Sequence, residues 1–299
     1  MTLREQPAQA WYQSFYEKLL PAIESREETA AITFALLEHY LGYTRIKHIF
    51  NTPIGASEEV VAALTSASDR LVTHEPIQYI LGVAEFCGLS FEVNAHVLIP
   101  RPETEELVSF IQKEKALQEK KNLRIMDLCT GSGCIAISLA HHYKDAKVEA
   151  LDSSAEALAV AEKNATKLGV NVSFLKRDLL KKVLPEQKWD VVVSNPPYVL
   201  EGEVKNIHPR VIDHEPAKAL FVPDKTPLLF YNRIAKIVPK HLAPLGKVYV
   251  EINEAFGKEV AALFAKVGLE NVKVHQDIHG KDRWVVAQKI EKSSRATKK

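Results

Sequence analysis

The chain holds three cysteines in 299 residues, Cys87, Cys129 and Cys134. That is too few, at the wrong spacing, for a disulfide framework or a tetrahedral metal site. With no CxxC pair or accompanying histidine pattern, they are expected to be small buried residues of a reducing compartment. An excess of either charge is also missing: 39 Lys and Arg face 38 Asp and Glu, a formal net charge of +1. No overall pull toward nucleic acid or an anionic membrane follows, so any macromolecular partner must be recognised locally. Uninterrupted apolar runs of about eighteen residues are absent too, and the opening MTLREQPAQAWYQSFYEKLL has no basic stretch leading into an apolar one. These absences predict a soluble cytoplasmic protein without membrane contact, metal or direct nucleic-acid binding. What is present is 46% hydrophobic residues, enough for a large core, in a length suited to two domains.

Up to residue 82 the apolar positions recur at helical spacing. Trp11, Phe15, Leu19 and Leu20 form one face, Ile32, Leu36, Leu37 and Tyr40 a second, and Val60, Val61, Leu64, Ala67 and Leu71 a third, the last opened by Ser57 as a cap. Breaks are expected near Pro21, Gly42 and Pro53. Residues 83–98 contain VAEF and LSFEV around Cys87-Gly88, a hairpin pattern expected to link this helical domain to the rest. In LIPRPETEEL, Pro100 and Pro102 force extended backbone before an acid-rich helix start. A second domain is expected over 99–290, and beyond residue 122 strand and helix patterns alternate in it: LRIMDL, a helix over 134–142, KVEAL, a helix over 155–168, VSFL, DVVVS, a helix opening at Thr226-Pro227, and GKVYVEI. The alternation ends with NVKVH and RWVVAQK, whose connection is too short for a crossover helix, so the last strand is expected to be antiparallel. The basic tail 291–299 is expected to be disordered.

Two constellations carry chemistry. In the first, Asp127-Leu128-Cys129-Thr130-Gly131-Ser132-Gly133 joins a strand to a helix. Glycines there let backbone approach a nucleotide-like ligand, and the helix start offers unpaired N–H groups. Asp152, about twenty residues on at the next strand's end, suits a pair of ribose hydroxyls, and Asp178 suits an adenine amino group or the capping of its own loop. The glycine loop alone leaves NAD open.

In the second, the strand DVVVS delivers Asn195-Pro196-Pro197-Tyr198 to the carboxyl edge of the sheet. The Asn195 carboxamide oxygen and the Pro196 carbonyl can accept the two hydrogens of a planar NH2 group, and Tyr198 offers a flat face. The prolines donate no N–H and hold the acceptors still. Such a site suits alkylation of a weakly nucleophilic amide or exocyclic amine, with no strong base needed before transfer.

With IPRPETE, DLCTGSG and VSNPPY together, the chain resembles the class I S-adenosylmethionine-dependent methyltransferases, and within them the N5-glutamine methyltransferases of the HemK/PrmC family. The resemblance covers nearly the whole chain. It implies a seven-stranded doubly wound, Rossmann-like α/β sheet with an antiparallel last strand, plus a small N-terminal helical domain that recognises substrate. It also implies a monomer that methylates the GGQ glutamine of class I peptide chain release factors. By motif position, Cys129, Thr130, Gly131, Ser132, Gly133 and Asp152 would hold S-adenosylmethionine, with Asp178 and Leu179 near the adenine. Asn195, Pro196, Pro197 and Tyr198 would hold the acceptor glutamine, Asn195 also reaching the cofactor. Arg101 and Glu103 would form a cofactor-side wall or, alternatively, a structural ion pair. The family's D-x-G-x-G-x-G has glycine where this chain has Cys129, a change that matters only if that backbone has positive φ. The rival readings are a DNA adenine-N6 methyltransferase, which would need a basic cleft to hold an extruded base, and a non-catalytic binding module.

Overall fold

The computed structural model describes residues 3–23, 25–182 and 184–290 and divides into two compact units. The tail 291–299, expected to be disordered, lies outside the described residues.

The first unit comprises the chain up to Val83 together with Ile207–His214. Its helices Ala8–Ile23, Arg26–Leu41 and Glu58–Val72 bury Trp11, Phe15, Leu19, Leu36, Leu37 and Leu64 against one another. Ser25 and Ser57 cap the second and third, each hydroxyl accepting from the N–H three residues on, and Gly42 closes the second at φ 57°. Pro21 does not stop its helix, which runs on to Ile23; a proline so near the end removes one backbone bond of the last turns. An antiparallel ribbon, Leu3–Pro7 with Pro53–Ser57, departs from the all-helical reading; it lacks the alternation that marks a strand in sequence. The later segment is tied in by Arg210, which donates to Glu28 at 2.5 Å, and by His208, edge-on to His74.

The second unit is built on seven strands, numbered here within it: β1 Arg124–Leu128, β2 Lys147–Asp152, β3 Val172–Lys176, β4 Trp189–Ser194, β5 Leu242–Glu251, β6 Glu270–Gln276 and β7 Asp282–Gln288. Their order is β6-β7-β5-β4-β1-β2-β3, and β7 is antiparallel to both its neighbours, as the short final connection requires. Helices α1 Pro102–Gln112, α2 Cys134–His142, α3 Ala155–Lys167, α4 Leu229–His241 and α5 Gly257–Lys266 accompany the sheet. The unit has two apolar clusters: one holds Leu107, Ile137 and Val193, the other Met126, Val192, Ile234 and Phe264. The hairpin strands Val83–Phe86 and Leu89–Glu92 turn through Cys87 and Gly88, both at positive φ, and bury Phe86 and Phe91 in the first cluster.

Because the chain fills β1, β2 and β3 outward and then returns to the other side of β1, the strand order reverses between β1 and β4. Ligands of open α/β sheets bind at such a reversal, outside the carboxyl ends of the strands. Among the described residues no helix is long and apolar enough to cross a membrane, and no group of three or more His, Cys, Asp or Glu could hold a metal.

Candidate active site

Strand register assembles the site. Leu128 pairs with Leu151 on one side and Ser194 on the other, and Ser194 pairs with Val250. One residue further along these parallel strands stand Asp152, Cys129, Asn195 and Glu251, a row across the middle of the sheet. Three of the four ionise or hydrogen-bond at their tips. A hydrogen bond from Ser194 Oγ to the Leu128 carbonyl, 2.8 Å, locks the two central strands just below the row.

The loop after β1 doubles back through three left-handed residues: Cys129 at φ 64°, Gly131 at 54° and Gly133 at 82°. Its N–H groups are spent in fixing it, Thr130 N on the Leu151 carbonyl and Gly131 N on Asp152 Oδ2, while Asp152 Oδ1 accepts from Ser154 N. Each Asp152 oxygen thus keeps a further lone pair for a ligand. Gly133 also carries a packing duty: a Cβ there would meet Ile137 Cδ1 at 2.8 Å and Ala161 Cβ at 3.0 Å, holding α2 and α3 apart. Asn164 of α3 steadies the loop, donating to the Ser132 and Glu92 carbonyls at 3.0 Å each.

Around this loop lies a cavity of about 650 Å3, the size of a nucleotide-sized ligand with room for a second group. Its wall includes Thr130, Ser132, Asp152, Asp178, Leu179 and Asn195. Ser132 Oγ is buried in that wall with no hydrogen-bond partner. Buried polar atoms are rarely left so, which fits a cradle completed by a polar ligand. Asp178 serves its own loop as well, accepting from Leu180 N at 2.9 Å.

On the other side of the row, the NPPY segment is anchored by Thr104, itself part of the cavity wall, and by Glu251. Asn195 Nδ2 donates to Thr104 Oγ1 at 3.1 Å, Thr104 Oγ1 donates to Glu251 Oε2 at 2.6 Å, and the Tyr198 hydroxyl donates to Glu251 Oε1 at 3.0 Å. Pro196 and Pro197 are buried between these anchors. Burial, with Glu251 beside it, pushes the Tyr198 phenol well above its ordinary value, so it is a proton donor at neutral pH. Burial also raises the Glu251 carboxyl to about 7, against the opposing pull of Thr104, Tyr198 and Arg283.

Asn195 and Pro197 face the cavity with the loop residues, whereas Tyr198 is turned back onto Glu251. Arg101 lines the cavity, but its ion-pair partner is Glu215, at 2.5 Å, and not Glu103. Buried Glu215 also accepts from Ile99 N, bracing the proline-rich segment from a point over a hundred residues distant, a separation that hides it from a reading of motifs. Thr104 and Glu251 are the other residues the motif reading misses. Glu251 does leave a trace, since a carboxylate ending the apolar run VYVE needs a partner to be buried there. The cysteines are only partly buried, and Cys129 and Cys134 line the cavity.

Two buried carboxyls make stability depend on pH. Desolvation raises both Asp127, ordinarily 3.8, and Glu251, ordinarily 4.5, to about 7. Between about pH 4 and 7 the folded chain keeps protons that the unfolded chain has released, so their contribution falls as pH rises through that window and is flat above it. His275, lowered by burial, acts with the opposite sign near its ordinary 6.5. Urea midpoints of wild type and Asp127→Asn isolate one carboxyl: the variant gains on wild type from pH 5.5 to 8 by up to roughly 2 kcal/mol. A difference independent of pH would show that Asp127 titrates normally.

Family models match the chain in two places, the PrmC N-terminal domain over residues 10–82 and the methyltransferase small domain over residues 105–222. The release factor glutamine methyltransferase of Flavobacterium psychrophilum is 40% identical over 92% of this chain and 96% of its own length. That of Bacteroides thetaiotaomicron is 42% identical over 92% and 98%. Among solved structures, a methyltransferase from Pyrococcus furiosus superposes with a TM-score of 0.51 at 18% identity, covering 76% of this chain and all of that one, which speaks to the fold.

Proposed function

The chain belongs to the release factor glutamine methyltransferase family, and from that premise we infer that it methylates N5 of the GGQ glutamine of class I release factors, using S-adenosylmethionine. The observation that carries the reading is Asn195, whose amide nitrogen is engaged by Thr104 so that its oxygen is left for a substrate NH2, in a cavity shared with the glycine loop.

S-adenosylmethionine, when bound, supplies a methyl group on a positively charged sulfur. Asp152 would accept its ribose hydroxyls, Thr130 to Gly133 would cradle its amino-acid end, and Asp178 and Leu179 would border its adenine. Asn195 Oδ1 and the Pro196 carbonyl would each accept one hydrogen of the glutamine amide, aiming the nitrogen lone pair into the cavity. The two acceptors would meet the positive charge that develops on the glutamine nitrogen as it is alkylated. The surplus proton would leave along the hydrogen bond to Asn195 Oδ1 for solvent. Tyr198, which does not line the cavity, would anchor the far end of the motif through its hydroxyl on Glu251.

The left-handed φ of Cys129 brings a prediction. Side chains with Cβ pay about 1–2 kcal/mol in that region, more than a small, partly exposed thiol returns by packing. Cys129→Gly is therefore expected to raise the thermal midpoint by a few degrees and to tighten S-adenosylmethionine binding in calorimetry. Weaker binding by the glycine variant would mean that the thiol contributes contact rather than strain.

Transfer of labelled methyl to a release factor, to its Gln→Ala variant and to duplex DNA tests the function. Label on the release factor, lost in the variant, is expected. Label on DNA alone would establish an adenine methyltransferase, and no label anywhere would leave a binding module.

A further inference from the structure

We propose that Glu251 is a positioning residue for methyl transfer: its carboxylate, acting through Thr104, sets which end of the Asn195 amide faces the acceptor nitrogen. The proposal rests on the functional reading above for the importance of Asn195, but not on the identity of the acceptor.

A primary amide is nearly symmetric in shape, and its two ends have opposite hydrogen-bonding character. For Asn195 to receive an NH2 group, Oδ1 must face the cavity; the flipped amide would set NH2 against NH2. Nothing in the shape of Asn195 selects between them, so a neighbour must. That neighbour is Thr104, 3.1 Å from Nδ2. A hydroxyl can donate or accept, and alone it would be indifferent. Its single proton is committed elsewhere, however, because Thr104 Oγ1 lies 2.6 Å from Glu251 Oε2, and an ionised carboxylate only accepts. Toward Asn195 the hydroxyl can then only accept. The direction runs one way, from Asn195 Nδ2 through Thr104 to Glu251.

The other carboxylate oxygen performs the same service at the far end of the motif, taking the Tyr198 proton at 3.0 Å. Both ends of the four-residue segment are thus gripped by one buried group, which is 1% exposed. A purely structural partner for Thr104 and Tyr198 would not need charge. An ionised carboxylate placed here costs desolvation, with Arg283 of β7 as the favourable charge and Glu103 of α1 as an unfavourable one, while Tyr231 of α4 stands nearby as a neutral phenol. The amide of glutamine in its place would have to donate toward either Thr104 or Tyr198. Facing Thr104, it would release the hydroxyl proton toward Asn195 and favour the flipped amide; facing Tyr198, it would unseat the ring.

Protonation of Glu251 has the same consequence as amidation, since the carboxyl then holds a proton of its own. The enzyme should therefore lose turnover on the acid side of neutrality even though its buried carboxyls favour the folded state there.

The test compares wild type, Glu251→Gln, Thr104→Val and Thr104→Ser on whichever acceptor the wild type methylates, release factor or DNA, so that a wrong substrate assignment does not remove the measurement. Glu251→Gln and Thr104→Val are expected to lower kcat by about 100-fold with S-adenosylmethionine Kd and acceptor KM within about threefold, and Thr104→Ser, which keeps the hydroxyl, to retain kcat within about threefold. The acid limb of the wild-type kcat profile, near pH 7, is expected to vanish in Glu251→Gln. Retention of kcat and of the acid limb by Glu251→Gln would overturn the proposal, as would equal activity of Thr104→Val and Thr104→Ser. Should Glu251→Gln not fold, the threonine pair and the wild-type profile decide.

Discussion

Asn195→Ala is expected to lower kcat for methyl transfer by about 100- to 1000-fold while S-adenosylmethionine Kd stays within about threefold. The asymmetry follows from where the side chain's bonds go. Its nitrogen is committed to Thr104, so its oxygen is the end left for the cavity, and that oxygen would face a charge that grows as the acceptor nitrogen is alkylated. An acceptor aligned with developing charge acts on the transition state more than on the ground state. The cofactor, in contrast, would have Asp152 and the loop from Thr130 to Gly133 to hold it. Steady-state kinetics at saturating acceptor, with Kd from calorimetry, separate the two. Equal loss of turnover and cofactor affinity in a folded variant would place Asn195 in the cofactor cradle instead.

The parts of this arrangement that the sequence discloses are those fixed by local spacing. Glycines between LRIMDL and CIAISLAHH, and an asparagine between a valine-rich strand and two prolines, announce strand ends in their own immediate context. So does the antiparallel β7, because the connection before it is too short for anything else. The row of Asp152, Cys129, Asn195 and Glu251 is a different kind of fact. It depends on register between strands whose partners are set by side-chain packing across the sheet, and Glu251 reaches Thr104 over 147 positions. Nor does a motif say which way an amide points, since orientation belongs to the neighbour's neighbour. The same holds for Arg101: its own segment offers Glu103, and the fold supplies Glu215. The ribbon of Leu3–Pro7 and Pro53–Ser57 escapes notice for a third reason, as short proline-bounded pairs have no periodicity to read. Cys129 joins the two levels. Its departure from the glycine pattern is visible in the sequence, but only the φ of 64° makes it a source of strain.

Asp152→Ala is expected to act in the opposite sense to Asn195→Ala, raising S-adenosylmethionine Kd by about 100-fold and leaving kcat at saturation within about tenfold. Two losses contribute. The carboxylate's remaining lone pairs would be the acceptors for the ribose hydroxyls, and hydrogen bonds to a charged group carry about 1.5–3 kcal/mol each. The same oxygens also hold Gly131 N and Ser154 N at 2.9 Å, so their removal frees the left-handed turn and the start of α3 together. The proposed chemistry would lie two strands away, where Asn195 remains anchored by Thr104, and so turnover of bound cofactor should survive. Asp152→Asn is expected to suffer both losses. Its one carbonyl oxygen can keep Gly131 or Ser154 but not both, and its NH2 meets the other N–H donor head-on, so its affinity should fall nearly as far as that of the alanine variant. Collapse of kcat in Asp152→Ala with unchanged Kd would show that this carboxylate orients the reacting groups and does not merely retain the cofactor.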